Sequence, residues 1–304
     1  MSDVNFEHYK VFFYVAKFNN ITSAAHALYL SQPSVSRCIA NLEEELGCKL
    51  FNRSKKGVEL TAEGQQLYKH VKIACKHFFS AEEELSLMQK ETSGVLRLAV
   101  SDAAFQQRII SRISAFHSLY PSVHLKIDNM STPETIEAVH TNVVDMAVVT
   151  TPFTSPYELN VTELCKLQDI AVAGSEFSYL KDRELSLAEL NKYSLITLEE
   201  GSTTRHFFNK LFRQHGIMMN PDIELASISQ VLPLVRSSLG IGFVPQRIAE
   251  EDIRAGKIFR IKIKEEIPPR SISLITDDEY ETNDLMTAFT GVITNPDIQP
   301  PLNM

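Results

Sequence analysis

Gln32, Ser34, Ser36 and Arg37 lie within the stretch Ser31-Gln32-Pro33-Ser34-Val35-Ser36-Arg37, and each carries a hydrogen-bond donor. The Gln32 amide and the Arg37 guanidinium are forked groups that match adenine edges, guanine edges and phosphates. The hydroxyls of Ser34 and Ser36 are short enough to sit against a groove wall. Three cations follow within four positions, Arg53, Lys55 and Lys56, in and beside the turn Ser54-Lys55-Lys56-Gly57. A basic turn between two short strands grips a phosphate backbone. The chemistry these residues could do is the reading of a duplex.

A second set of residues could hold a small anion. Ser101-Asp102, Ser131-Thr132 and Ser202-Thr203 each stand where a strand gives way to a helix. Such helix starts carry free N–H donors and a hydroxyl. Thr150, just after a strand, and Ser227, which opens a helix, are placed to line the same cleft. Catalysis finds little support. The nine histidines are scattered without metal-ligand spacing, and no nucleophile elbow, P-loop or dinucleotide fingerprint occurs. No catalytic residue, metal or cofactor is expected.

The elements that would carry the first set can be read from spacing. Phe6, Tyr9, Phe12, Phe13 and Ala16 describe an amphipathic first helix that Asn19-Asn20 ends. Thr22 is the expected cap of a short second helix rich in small residues. Ser31 caps a third helix, and Pro33 is tolerated in its first turn. Val35, Ile39, Leu42 and Leu46 form its apolar stripe, leaving Ser34, Ser36, Arg37 and Asn41 on the other side. Two short helices in tight sequence, the second with donors on its outer face, make a helix-turn-helix. Lys49 to Thr61 reads as strand, basic turn, strand, which is a wing.

With these residues in place, the stretches FFYVAKFNNITSAAHALYLSQPSVSRCIANLEEELGCKLFNRS and GVELTAEGQQLY closely resemble the N-terminal pattern of LysR-type transcriptional regulators. Glu63 departs from it, where alanine is more usual before the glycine. The resemblance implies that Gln32, Pro33, Ser34, Ser36, Arg37 and Arg53 contact DNA. It also implies a linker helix that dimerises the protein, often as part of a tetramer of two dimers.

After Thr61 a helix is expected to about Lys90. Leu67, Val71, Ala74, Phe78, Ala81, Leu85 and Met88 are spaced 4, 3, 4, 3, 4, 3 along it, an a/d seam. The outer positions are polar and no core lies nearby in sequence, so a coiled-coil homodimer is the expected reading. Strands and helices then alternate from Val95 to Pro245, as in a parallel sheet covered by helices. This half resembles the family's effector domain, which shares its architecture with type 2 periplasmic solute-binding proteins. The expected fold class is α/β: a winged helix-turn-helix over 1–61, a linker helix over 62–91 and a two-lobed effector domain over 92–304. Lobe I is expected at 94–163 and 268–294, and lobe II at 164–267.

Charge agrees with this division. Of 30 Lys+Arg and 38 Asp+Glu, residues 1–78 hold 10 and 7, so a basic head joins an acidic remainder within a chain of net charge -8. No apolar run reaches the roughly 20 residues that span a bilayer, and the N-terminus lacks the pattern of an export signal, so a cytoplasmic protein is expected. Four cysteines, Cys38, Cys48, Cys75 and Cys165, show no CxxC spacing. The expected partners are double-stranded operator DNA, a second copy of the chain and a small organic anion or amino acid between the lobes. RNA polymerase is a further candidate partner. Two rival readings stand beside this one. A thiol-redox sensor of the same family has only Cys165 in its sensor half, and a solute-binding protein would need an export signal and no DNA head.

Overall fold

The structure, a computed structural model, describes residues 4–54, 57–88, 94–106, 109–277 and 282–295. It divides into two compact units, Met1–Lys90 and Glu91–Met304.

The first unit comprises α1 (Phe6–Phe18), α2 (Ile21–Ala27), α3 (Gln32–Leu46), the hairpin β1 (Phe51–Ser54) and β2 (Gly57–Leu60), and α4 (Ala62–Met88). The two adjacent asparagines divide the work between α1 and α2. Asn19 closes α1 in a left-handed conformation, φ 50°, while extended Asn20 accepts from the Ser23 N–H at 3.0 Å. Asn20 rather than Thr22 is therefore the cap of α2; a carboxamide on the extended residue reaches the third amide first. Thr22 is an exposed first-turn residue. Ser31 caps α3 as expected, with its Oγ 3.2 Å from the Ser34 N–H. Val35, Ile39 and Leu42 are buried and Leu46 is half-buried.

Glu43 is buried beside them, although its neighbours in Glu43-Glu44-Glu45 are exposed. Its Oε1 accepts from the N–H groups of Leu50 (2.9 Å) and Phe51 (3.3 Å), and its Oε2 from Lys49 Nζ at 2.6 Å. One carboxylate thus joins the third helix to the start of the wing. Gly57 permits the return: its φ is +136°, and a Cβ there would meet the Asn19 carbonyl at 2.7 Å. Lys55 and Lys56 lie outside the described residues, as does the side chain of Arg53.

Helix α4 begins at Thr61, whose Oγ1 accepts from the Gly64 N–H at 2.9 Å. Its first five turns pack on the head's own core. Leu67, Tyr68, Val71, Cys75 and Phe79 all join that cluster, and the Phe13 ring lies 6.1 Å from those of Tyr68 and Phe79. Leu67 and Val71 therefore serve the head rather than an intermolecular seam. A core does lie beside this helix, because α1 folds back onto it. Ala74, Phe78, Ala81 and Leu85 remain exposed, Phe78 by 60% and Leu85 by 62%. The Met88 side chain is outside the described ones.

The second unit runs β3 (Val95–Ser101), α5 (Asp102–Phe105), α6 (Ile109–Leu119), β4 (His124–Met130), α7 (Thr132–His140), β5 (Met146–Thr151), β6 (Leu159–Leu167), β7 (Asp169–Gly174), β8 (Glu184–Leu185), α8 (Leu187–Leu190), β9 (Leu195–Leu198), α9 (Thr203–Gln214), β10 (Ile223–Leu225), α10 (Val231–Arg236), β11 (Ile241–Pro245), α11 (Gln246–Arg254), β12 (Ile258–Ile263), β13 (Arg270–Asp277) and α12 (Asp284–Thr294). The strands form two sheets, ordered β4-β3-β5-β13-β6 and β10-β9-β11-β7-β12-β8. Each is mixed, because β13 runs antiparallel to β5 and β6, and β7 antiparallel to β11 and β12. The first lobe extends to Leu167, since β6 pairs along β13 from Leu159 to Leu167, and the chain crosses at Gln168 rather than at 163–164. In α6, Ile109 and Phe116 are buried, while Ile110 and Leu119 are exposed by 52% and 61%.

Burial pushes the Glu43 carboxyl up, but the Lys49 ammonium and the amides of Leu50 and Phe51 outweigh it and hold the pKa below the ordinary value. The contribution of a carboxylate depressed in this way is complete above its unfolded pKa and lost as pH falls through the folded one. Glu43→Ala should cost about 1–3 kcal/mol at pH 7, because two buried amides lose their acceptor. The deficit should shrink in acid, where the wild type also loses the charge. Urea unfolding from pH 7 to 3 checks both the size and its decline.

Candidate DNA interface and effector cleft

On α3, Gln32, Pro33, Ser34 and Arg37 are exposed and Ser36 is half-exposed. Gln32 and Arg37 make no side-chain hydrogen bond or ion pair among the described residues, so both forks are available to a ligand. Ser31 and Ser34 are partly engaged with each other, Oγ to Oγ at 2.8 Å. The helix therefore presents its first two turns, with donors outward and Val35 and Ile39 beneath.

In the second unit, parallel pairing brings three strand ends to one edge of the first sheet. Ser101, the last residue of β3, pairs with Met130 at the end of β4, and Val100 pairs with Val148 of β5. Ser101, Ser131 with Thr132, and Thr150 consequently share that edge. Ser101 is 4% exposed, and its Oγ has no hydrogen-bond partner among the described residues. The same holds for Thr135 Oγ1, one turn into α7. Thr132 and Thr150 are buried. Ser131 is committed elsewhere: it and Glu134 form a reciprocal capping box, with Ser131 Oγ 2.8 Å from Glu134 Oε2.

The second lobe contributes α9 and the segment before α10. Ser202 Oγ caps the Arg205 N–H at 3.0 Å, and Thr203 is half-buried. The Arg205 side chain is held by Leu198 O (3.0 Å), Asn209 Oδ1 (3.0 Å) and Glu224 Oε1 (2.8 Å), and adds no free charge to the cleft. Glu199 and Glu200 are exposed. Asp102 and Ser227, both expected to meet a ligand, meet each other. Asp102 Oδ2 accepts from Ser227 Oγ at 2.8 Å and from the Ile228 N–H at 2.7 Å, and neighbouring Ala103 packs into the second lobe's core. The short helix α5 of one lobe is thus seated in the other.

The sequence reading missed the group that ties the crossing strands together. Arg270, at the start of β13, is 1% exposed and holds Asp169, at the start of β7, through both carboxylate oxygens at 2.7 and 3.0 Å. It also donates to Thr204 Oγ1 at 3.0 Å and lies 5.1 Å from the Phe207 ring centroid. The available signal was opposite charges at the heads of two apolar strand patterns, DIAVAG and RSISLI.

The comparisons agree with this arrangement of units. Residues 6–65 match the family model described as bacterial regulatory helix-turn-helix protein, lysR family, and residues 89–295 match the LysR substrate binding domain. The chain belongs to the LysR family. Among its relatives, the RuBisCO operon transcriptional regulator of Allochromatium vinosum is 27% identical over 265 residues, 86% of either chain. CysB of Haemophilus influenzae is 31% identical over 232 residues, 74% of this chain and 70% of CysB. The crystal structure of CbnR, a LysR family transcriptional regulator, shares the fold with a TM-score of 0.71 at 20% identity, covering 95% of this chain and 98% of CbnR. CbnR complexed with its target DNA is equally similar. This LysR-family protein is accordingly a transcriptional regulator with a DNA-binding helix-turn-helix and an effector-binding domain. No helix among its described residues is long and apolar enough to cross a membrane.

Arg270→Ala would strand the Asp169 carboxylate, itself 1% exposed. The loss of stability should be about 3–5 kcal/mol, read from urea unfolding of the full chain. Asp169→Leu combined with Arg270→Met should recover much of it, because the desolvation cost of both charges disappears together.

Proposed function

We propose that this regulator reads its operator with Gln32, Pro33, Ser34, Ser36 and Arg37, and that the wing residues Arg53, Lys55 and Lys56 grip the flanking backbone. It responds to a small organic acid, in the form of an amino acid or similar zwitterion, bound between its lobes, and works in the cytoplasm. The observation that carries the effector reading is the Ser101 hydroxyl, buried and unpaired at the meeting of three strand ends. A buried hydroxyl without a partner costs free energy that a ligand can return. Thr132, Thr150 and Thr203 line the approach. Asp102 favours the zwitterion: Ser227 and Ile228 take its Oδ2, and the Oδ1 left over keeps a carboxylate at the cleft that repels a simple anion and attracts an ammonium group.

Thermal shift separates these features. The right amino acid at about 100 times its Kd should stabilise the protein by about 2.7 kcal/mol. Ser101→Ala should remove that response while leaving DNA binding without effector intact. Asp102→Asn should weaken amino acids and spare the corresponding deaminated acids. Stabilisation by cationic or wholly apolar compounds alone, persisting in Ser101→Ala, would refute the reading.

The exposed stripe Ala74, Phe78, Ala81 and Leu85 serves as a dimer seam, continued by Met88. Its spacing of 4, 3 and 4 suits a coiled coil, and nothing in the head covers it. Paired dimers would make the tetramer. Phe78→Asp with Leu85→Asp should dissociate the dimer in sedimentation experiments and leave the head folded. Val71→Asp should instead unfold the head, because Val71 is 6% exposed. A dimer that survives the Phe78 and Leu85 changes would exclude this seam.

A further inference from the structure

Tyr29 joins α2 to α3, and its backbone is in the left-handed region, φ 56°. The hydrogen bonds there are those of a Schellman turn. The Tyr29 N–H donates to His26 O at 3.2 Å and the Leu30 N–H to Ala25 O at 2.9 Å. Residue 29 occupies the position in this turn that glycine usually fills, because a Cβ is disfavoured when φ is positive. Packing does not repay that strain, since Tyr29 is 96% exposed, more than any other large hydrophobic residue among the described ones. A stabilising choice would have been glycine or asparagine. The chain places a large aromatic with a hydroxyl there instead, two residues before the cap of the reading helix.

The surroundings identify the partner. Tyr29, Leu30, Ser31, Gln32, Pro33 and Ser34 form an unbroken exposed run that leads onto the first turn of α3. In a helix-turn-helix the first helix crosses the backbone and the second enters the major groove by its N-terminal residues. A side chain on the connecting turn therefore stands at the groove edge, where sugar and phosphate pass. We infer that Tyr29 is a further DNA-contacting residue, its ring packed on deoxyribose and its hydroxyl donating to a phosphate. The inference rests on the reading that the Gln32–Arg37 face meets DNA.

Because a phenol is neutral, its contact releases no counterion. The test uses the full chain and a duplex that the wild-type protein selects from a random pool. Tyr29→Gly should raise the melting temperature or leave it unchanged, yet weaken binding about tenfold, a difference of about 1.4 kcal/mol. Tyr29→Phe should keep the ring contact and lose a smaller factor. For both, the slope of log affinity against log salt should match the wild type. Arg37→Ala on the same duplex is the control for the face as a whole. If Arg37→Ala weakens binding and Tyr29→Gly does not, the Tyr29 contact is overturned while the face stands. If neither changes affinity, both readings fall. Unaltered DNA affinity with lost transcription would assign the ring to a protein partner and overturn the contact as well.

Discussion

Arg270 offers five N–H donors from a site almost closed to water, so its position dictates what surrounds it. A guanidinium there is tolerable only with a carboxylate in fork geometry and further acceptors for the remaining donors. Asp169 and Thr204 supply these, and the Phe207 ring lies against the charge. The pair sits where the two crossing strands begin, and Thr204 belongs to α9, so one set of bonds fixes the start of both crossovers and a helix of the second lobe. The strand ends that gather Ser101, Thr132 and Thr150 belong to the same sheet as β13.

The two lobes are joined a second time by α5. Asp102 acts as a cap for the segment entering α10, offered from the other lobe, and Ala103 follows it into an apolar cluster. Separating α5 from the second lobe would break two hydrogen bonds and expose Ala103. The Arg270 and Arg205 guanidiniums are likewise committed to protein partners.

In the DNA-reading unit, local backbone chemistry does most of the positioning. Asn19, Asn20, the left-handed Tyr29 and Ser31 end and start helices within 13 residues, and Ala24 and Ala25 of α2 pack with Val35 and Ile39 of α3 in one core. The wing, by contrast, is placed by one buried carboxylate. Glu43 supplies the acceptors that the first amides of the hairpin need, and a neutral residue could not serve both with equal strength. The start of α4 completes the unit, with Tyr68 stacked on Phe13 and Phe79 tilted against it.

The sequence by itself determined the elements whose signals are local. Ser31 with Pro33, the stripe Val35–Ile39–Leu42 and the Ser54–Gly57 turn made the helix-turn-helix and wing legible, because caps, period and turn chemistry all act within a few residues. The alternation of strands and helices likewise revealed the two-lobed half. Tertiary structure alone decided matters that depend on what a distant segment presents. Three adjacent glutamates read alike, yet only Glu43 turns toward the Leu50 and Phe51 amides. A regular heptad read as one seam divides into Val71, covered by α1, and Phe78 and Leu85, left bare. Asp102 and Ser227 both read as ligand groups, and folding made them partners. The pairing of Asp169 with Arg270, 101 positions apart, was invisible for the same reason. Charge and polarity are properties of a residue, but burial and partnership belong to the folded chain.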